Sequence, residues 1–165
     1  MQLSKRLQAV ADLVSPGSRV ADVGCDHAYI SIYLAENKIS SSIIAMDINK
    51  GPLERARANI EKYGYSHLIS TRLSDGLSKL SPGEADSIVI AGMGGPLMVE
   101  ILSRGKEIIM AAKELILQPQ SEIYKVREFL QESEFLIIEE NMVIDEGKYY
   151  FVMKAVQAES CTKPD

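Results

Sequence analysis

Seven consecutive residues, Asp22-Val23-Gly24-Cys25-Asp26-His27-Ala28, follow a short apolar run and combine two carboxylates, a thiol, an imidazole and a glycine. Gly24 permits a tight turn and close approach of a ligand to the backbone, although a purely structural turn would require it equally. Asp22 can hold an ammonium group, directly or through water. Asp47 ends a second apolar run 23 residues after Gly24. A carboxylate there can accept two hydrogen bonds from ribose hydroxyls, or serve only as a helix-start charge ahead of Gly51. Ser74-Asp75-Gly76 closes a third run and offers a carboxylate to an adenine amino group, with a glycine beside the ring. A fourth run ends in Ala91-Gly92-Met93-Gly94-Gly95. Those small residues leave room for a substrate base, or simply let the next helix pack on a sheet. With Cys25 and Ile48 adjoining Gly24 and Asp47, the expected ligand-binding set is Asp22, Gly24, Cys25, Asp47, Ile48, Asp75, Gly76, Ala91 and Gly92.

The first loop departs from a dinucleotide fingerprint. G-x-G-x-x-G would need glycine at position 26, where Asp26 stands, and again further on. Asp26 would repel a pyrophosphate. S-adenosylmethionine carries no phosphate and has a cationic sulfonium, so electrostatics favour a methyl donor over NAD.

These loops need a scaffold that brings successive strand ends together. Leu3 to Val14 places Leu3, Leu7, Val10, Ala11 and Val14 on one helical face, and Ser15-Pro16-Gly17 ends it. Strands are expected at Arg19 to Gly24, Ser42 to Asp47, His67 to Leu73, Asp86 to Ala91 and Glu114 to Gln118. Helices fall between and after them: Ala28 to Glu36, one opened by Gly51-Pro52 and closed by Gly64, Pro96 to Ser103, and about Glu122 to Gln131. In both proline-opened helices the proline is expected at the first position. Phe135 to Val143 and Tyr149 to Val156 then read as two strands joined by the Asp145-Glu146-Gly147-Lys148 turn. The pattern predicts an α/β, Rossmann-like domain. Its seven-stranded sheet is mostly parallel, with helices on both faces and one antiparallel strand from the C-terminal hairpin. In such a sheet, ligands bind outside the carboxyl ends of the strands. One domain is expected over residues 1–156, with residues 157–165 a disordered tail.

The 165 residues, 46% apolar and 25% charged, suit one globular domain. No apolar run reaches the roughly 18–20 residues of a membrane span, and no signal-peptide core is present, so a cytoplasmic protein is expected. Cys25 and Cys161 are distant, and His27 and His67 show no ligand spacing, so neither disulfide nor metal is expected. The net charge of −5 is uneven: residues 1–72 hold nine Lys/Arg against seven Asp/Glu, and residues 73–165 nine against sixteen. An RNA footprint would therefore be a local patch of the N-terminal half, with Lys5 and Arg6 both able to reach solvent.

Asp22 to Tyr29 (DVGCDHAY), Ala91 to Gly95 (AGMGG) and Leu117 to Gln120 (LQPQ) resemble the bacterial tRNA (adenine-N1)-methyltransferases that act on adenine 22. Leu3 to Leu7 (LSKRL) and Glu146 to Tyr150 (EGKYY) are similar too, so the resemblance spans about residues 1–156. It implies a class I S-adenosylmethionine-dependent methyltransferase acting on tRNA. In that family a helical C-terminal domain follows, which this sequence lacks, as a short member or a truncated chain. N1 of neutral adenine has a free lone pair, so the enzyme's task is mainly alignment of an extruded base. Asp26, His27, Met93, Gln118 and Pro119 are the residues expected around that base, with Asp26 accepting the adenine amino proton. Asp26 and His27 could instead form a loop-stabilising pair. Alternatives are a methyltransferase for a small molecule or protein, and a non-catalytic cofactor-binding module.

Overall fold

The computed structural model describes the backbone of residues 1–162. Helix α1 (Lys5–Asp12) is capped by Ser4, whose hydroxyl accepts the amide of Leu7. There follow β1 (Val20–Val23), α2 (Tyr29–Glu36), β2 (Ile43–Asp47), α3 (Lys50–Tyr63), β3 (Ile69–Leu73) and β4 (Ser87–Met93). The second half holds α4 (Gly95–Arg104), α5 (Lys106–Met110), β5 (Glu114–Pro119), α6 (Ile123–Glu132), β6 (Phe135–Asp145), β7 (Lys148–Gln157) and α7 (Ala158–Thr162).

The strands form one seven-stranded sheet in the order β3-β2-β1-β4-β5-β7-β6. β1 to β5 pair in parallel, and β7 runs antiparallel to both β5 and β6. This is the expected mixed sheet with one antiparallel strand. Alternate residues of β1 and β2 serve two cores. Val20, Ile43 and Ala45 pack under α1 to α3, whereas Ala21, Val23, Ile44 and Met46 pack under α4 to α6. Because both faces are covered, β1 and β5 are buried along their whole length.

Some boundaries differ from expectation for identifiable reasons. α3 begins at Lys50, so Pro52 is its third residue rather than its first, and Pro96 is the second residue of α4. Both stay in the first turn, where an amide has no intrahelical partner to lose. α5 lay unassigned between the fourth helix and fifth strand. The segment expected as a tail contributes Gln157 to β7 and residues 158–162 to α7; residues 163–165 and the Cys161 side chain lie outside the described parts. In the β6–β7 turn, Glu146 and Gly147 have φ of 50° and 77°, the left-handed pair that a two-residue hairpin loop needs.

At the amino end of β5, Glu114 is buried but fully engaged. It accepts the amide and hydroxyl of Ser15 (3.0 and 2.5 Å) and the hydroxyl of Ser87 (2.6 Å), with the Lys154 ammonium at 3.6 Å. This carboxylate ties the end of α1, β4, β5 and β7 at the amino-end rim of the sheet, leaving the carboxyl-end rim free for ligands.

Candidate active site

The carboxyl ends of β1, β2 and β4, together with α1, enclose a cavity of about 300 Å³. Its walls include Arg6, Asp22, Gly24, Cys25, Asp26, His27, Tyr29, Asp47, Ala91, Gly92 and Met93. The structure thus gathers nine of the expected residues, from the carboxyl ends of β1, β2 and β4 and the loop after β1, at one place.

The β1–α2 loop is built from left-handed backbone. Gly24, Asp26 and Ala28 have φ of 73°, 50° and 62°. The φ at 24 favours glycine, and a Cβ there would also displace the flexible end of Met93, whose Cε would lie 2.5 Å away. The amides of Gly24 and Cys25 are both tied to the carbonyl of Met46 (2.9 and 2.8 Å), which fixes the loop over the end of β2.

Asp22 is 3% exposed and accepts the Ser31 hydroxyl at Oδ2 (2.8 Å), leaving Oδ1 without a protein partner. Burial pushes its carboxyl up to about 6; the Ser31 hydrogen bond opposes this and the charge of Asp47 adds to it. Asp47 accepts the Asn49 amide at Oδ1 (3.0 Å), and its Oδ2 has no protein partner. Two carboxylates with free oxygens on one cavity suit a ligand carrying both an ammonium and hydroxyls. Burial, with Asp22 and Asp47 adding, pushes the Cys25 thiol far up, so it remains a protonated wall residue and no nucleophile. Ile48 is exposed beside Asp47.

Asp26 is exposed, 3.8 Å from Nε2 of His27, and the His27 ring stacks on Tyr29 with centroids 5.2 Å apart. The backbone carbonyl of His27 accepts a hydrogen bond from the side-chain Nδ2 of Asn59 (3.0 Å). These rings form an aromatic shelf at the cavity wall, and Tyr29 was not among the residues expected there.

Asp75 and Gly76 lie at the end of β3 but open into a separate cavity of about 440 Å³, bordered by α4 and α5. Gly76 has φ of 57° and packs against Ile101.

Gln118 and Pro119 are buried beneath the cavity and do not line it. The β4–β5 register shifts between Ala91 and Met93, so Gly92 (φ 79°) is an extra residue in a bulge. A bulge removes an amide from the ladder, and Oε1 of Gln118 accepts that amide at 3.0 Å. The same oxygen accepts Nη1 of Arg6 at 2.7 Å, while Nε2 donates to Pro119 O (3.2 Å) and Gln120 Oε1 (2.8 Å). With its donors and acceptor so engaged, Gln118 supports the loop from below rather than standing on the cavity wall.

Lys5 and Arg6 do not form the expected solvent patch. Lys5 is exposed, but Arg6 is half-buried, bound to Gln118, and places its guanidinium carbon 5.8 Å from the Tyr150 ring centroid. Periodicity could not separate them, since each lies one turn before a buried residue, Ala9 and Val10. Among the described residues no cluster of three or more His, Cys, Asp or Glu is placed to hold a metal ion, and no helix is long and apolar enough to cross a membrane.

Residues 3–153 match the model of a methyltransferase domain family. The chain is 42% identical over 155 residues to the tRNA (adenine(22)-N(1))-methyltransferase of Bacillus subtilis strain 168, covering 94% of this chain and 65% of that protein. It therefore spans just under two thirds of that curated relative. The crystal structure of the B. subtilis m1A22 tRNA methyltransferase TrmK superposes with a TM-score of 0.90 at 41% identity, over 94% of this chain and 67% of that one. M. capricolum TrmK, solved with S-adenosylhomocysteine, gives a TM-score of 0.86 at 32% identity, over 95% and 70%. The chain belongs to the methyltransferase-domain family and, within it, to the family of the m1A22 tRNA methyltransferase TrmK.

Proposed function

We propose that this chain transfers a methyl group from S-adenosylmethionine to N1 of an adenine in tRNA, adenine 22 by similarity to the B. subtilis protein. A cytoplasmic setting, where tRNA is processed, accords with that substrate. The observation that carries the reading is the pair Asp22 and Asp47 at adjoining strand ends, each with one carboxylate oxygen free of protein partners on the same cavity.

The donor set fits the cofactor. Asp22 would hold the ammonium, Asp47 the ribose hydroxyls, and Gly24 leaves the space that a Cβ would fill. Exposed Ile48 would border the adenine, and Asp75 and Gly76, just past the end of β3 that pairs with Asp47, would reach it only from outside the 300 Å³ cavity. Asp26 stands where a pyrophosphate would have to lie, which disfavours NAD. When bound, the donor supplies an electrophilic methyl on a cationic sulfur.

The chain's own residues then have three tasks. The Gly92 bulge, held by Gln118, would set Ala91, Gly92 and Met93 as the cavity wall beside donor and base. His27 and Tyr29 would stack against the extruded adenine, and Asp26 would accept a hydrogen bond from its amino group as positive charge builds on the ring. No general base is required for attack by N1, so alignment supplies most of the rate.

Calorimetry with S-adenosylhomocysteine and NAD tests the cofactor half: saturable binding of the first and none of the second is expected. Label transfer to tRNA, total protein and small-molecule fractions tests the substrate half, and label confined to the last two would contradict it.

A further inference from the structure

The two halves of the β1–α2 loop are anchored on different elements. The first half hangs from the sheet, through the Gly24 and Cys25 amides on the carbonyl of Met46 in β2. The second half carries Asp26 and His27, and then Ala28 as the N-cap of α2, where no side chain caps the helix. Asp26 and Ala28 are non-glycine residues in left-handed backbone on either side of His27. That conformation is costly there and persists only where the surrounding structure holds it. Within the loop the Ala28 amide donates to the Cys25 carbonyl (2.7 Å). Among the described residues, one side chain from outside the loop bonds residues 24–28: Asn59, whose Nδ2 donates to the His27 carbonyl.

This donor has a firm base. Asn59 is half-buried on α3, beside Ala56 and Ile60, which are buried against the sheet. Its amide fixes the His27–Ala28 peptide, and with it the stacked rings of His27 and Tyr29 and the Asp26 carboxylate beside them. Asn59 itself borders neither the 300 Å³ nor the 440 Å³ cavity. Resting on the reading of the aromatic shelf given above, we propose that Asn59 is a positioning residue for the substrate base, acting through the His27 carbonyl. Because Gly24 and Cys25 are tied separately to β2, base alignment and donor binding answer to different anchors.

The test uses the whole chain with unmodified tRNA. Asn59→Ala should lower kcat about ten- to a hundredfold, the scale of a misplaced reactant. KM for tRNA should stay within about threefold, since the lost contact acts on alignment. S-adenosylhomocysteine affinity should stay within about twofold, as separately anchored sites respond independently. Asn59→Asp, equal in size but without the amide donor, should show the same loss. The chain has two histidines, and His67 stacks on Tyr65, away from this loop. In both variants the His27 ring-proton resonances should move towards free-histidine positions while those of His67 stay in place. Wild-type kcat, or unmoved His27 resonances, in a folded variant would overturn the proposal. So would a loss of S-adenosylhomocysteine affinity matching the loss in kcat. If Asn59→Ala does not fold, Asn59→Asp carries the test; if neither folds, Asn59 is a structural residue and the proposal falls. Failure of the wild-type chain to methylate tRNA would overturn the tRNA reading and this proposal with it; methylation insensitive to Asn59 overturns this proposal alone.

Discussion

Oε1 of Gln118 accepts two hydrogen bonds, from the bulged amide of Gly92 at 3.0 Å and from Nη1 of Arg6 at 2.7 Å. One buried oxygen therefore links the first helix, the end of β5 and the bulge near the end of β4. Gln118→Ala would leave the Gly92 amide and Arg6 without that acceptor and open a small cavity. The expected loss is about 2–3 kcal/mol of stability, measured by urea denaturation. A variant as stable as wild type would show that the bulge holds itself.

Asp47→Ala is expected to weaken S-adenosylhomocysteine binding by roughly 1.5–3 kcal/mol, the scale of hydrogen bonds to a charged group. Thermal stability should barely change, since Asp47 bonds only the neighbouring Asn49 amide. Calorimetry that finds unaltered affinity would remove Asp47 from the cofactor site.

Cofactor binding should depend on pH through Asp22. Burial raises its carboxyl to about 6, so the ammonium-holding carboxylate forms only as pH climbs through that value. S-adenosylhomocysteine affinity should rise from pH 5 to 7, and Asp22→Asn should bind weakly with no inflection near 6. The sign for the ligand-free fold is opposite. The folded chain keeps this proton where the unfolded chain, with a carboxyl near 3.8, has released it. Asp22's contribution to stability therefore declines as pH rises from about 4 through 6. A pH-independent affinity across this range would contradict the assignment.

Glu114→Ala strips two hydroxyls and the Ser15 amide of their acceptor and takes the nearer carboxylate from the half-buried Lys154, at the rim remote from the cavity. A loss of about 3 kcal/mol is expected, with S-adenosylhomocysteine affinity unchanged in the protein that remains folded. Equal losses of affinity and stability would show that the two rims are coupled.

The strands ending at or within two residues of Asp22, Asp47 and Ala91 were legible because each is an apolar run bounded by glycine or a charge, a local pattern that a buried parallel strand imposes; β4 runs on to Met93 through the bulge. The Glu146–Gly147 hairpin was legible for the same reason: its backbone conformation selects the residues. What escaped was tertiary. Glycine at 92 fits a turn as well as a bulge, and only the register against β5 distinguishes them. Gln118 looked like a ligand-facing residue because its role depends on an amide that the bulge frees. Arg6 looked like surface because helix periodicity ranks it with Lys5, and only the docking of α1 beside Tyr150 turns it inward.

The central claim is methyl transfer to N1 of a tRNA adenine, and nucleoside analysis of tRNA methylated in vitro tests it most directly. Unmodified tRNA incubated with the chain and methyl-labelled S-adenosylmethionine should yield labelled 1-methyladenosine, strongly reduced by Gly24→Ala, which strains the backbone at φ 73°. Label in any other nucleoside, or none in tRNA while S-adenosylmethionine still binds, would contradict the account.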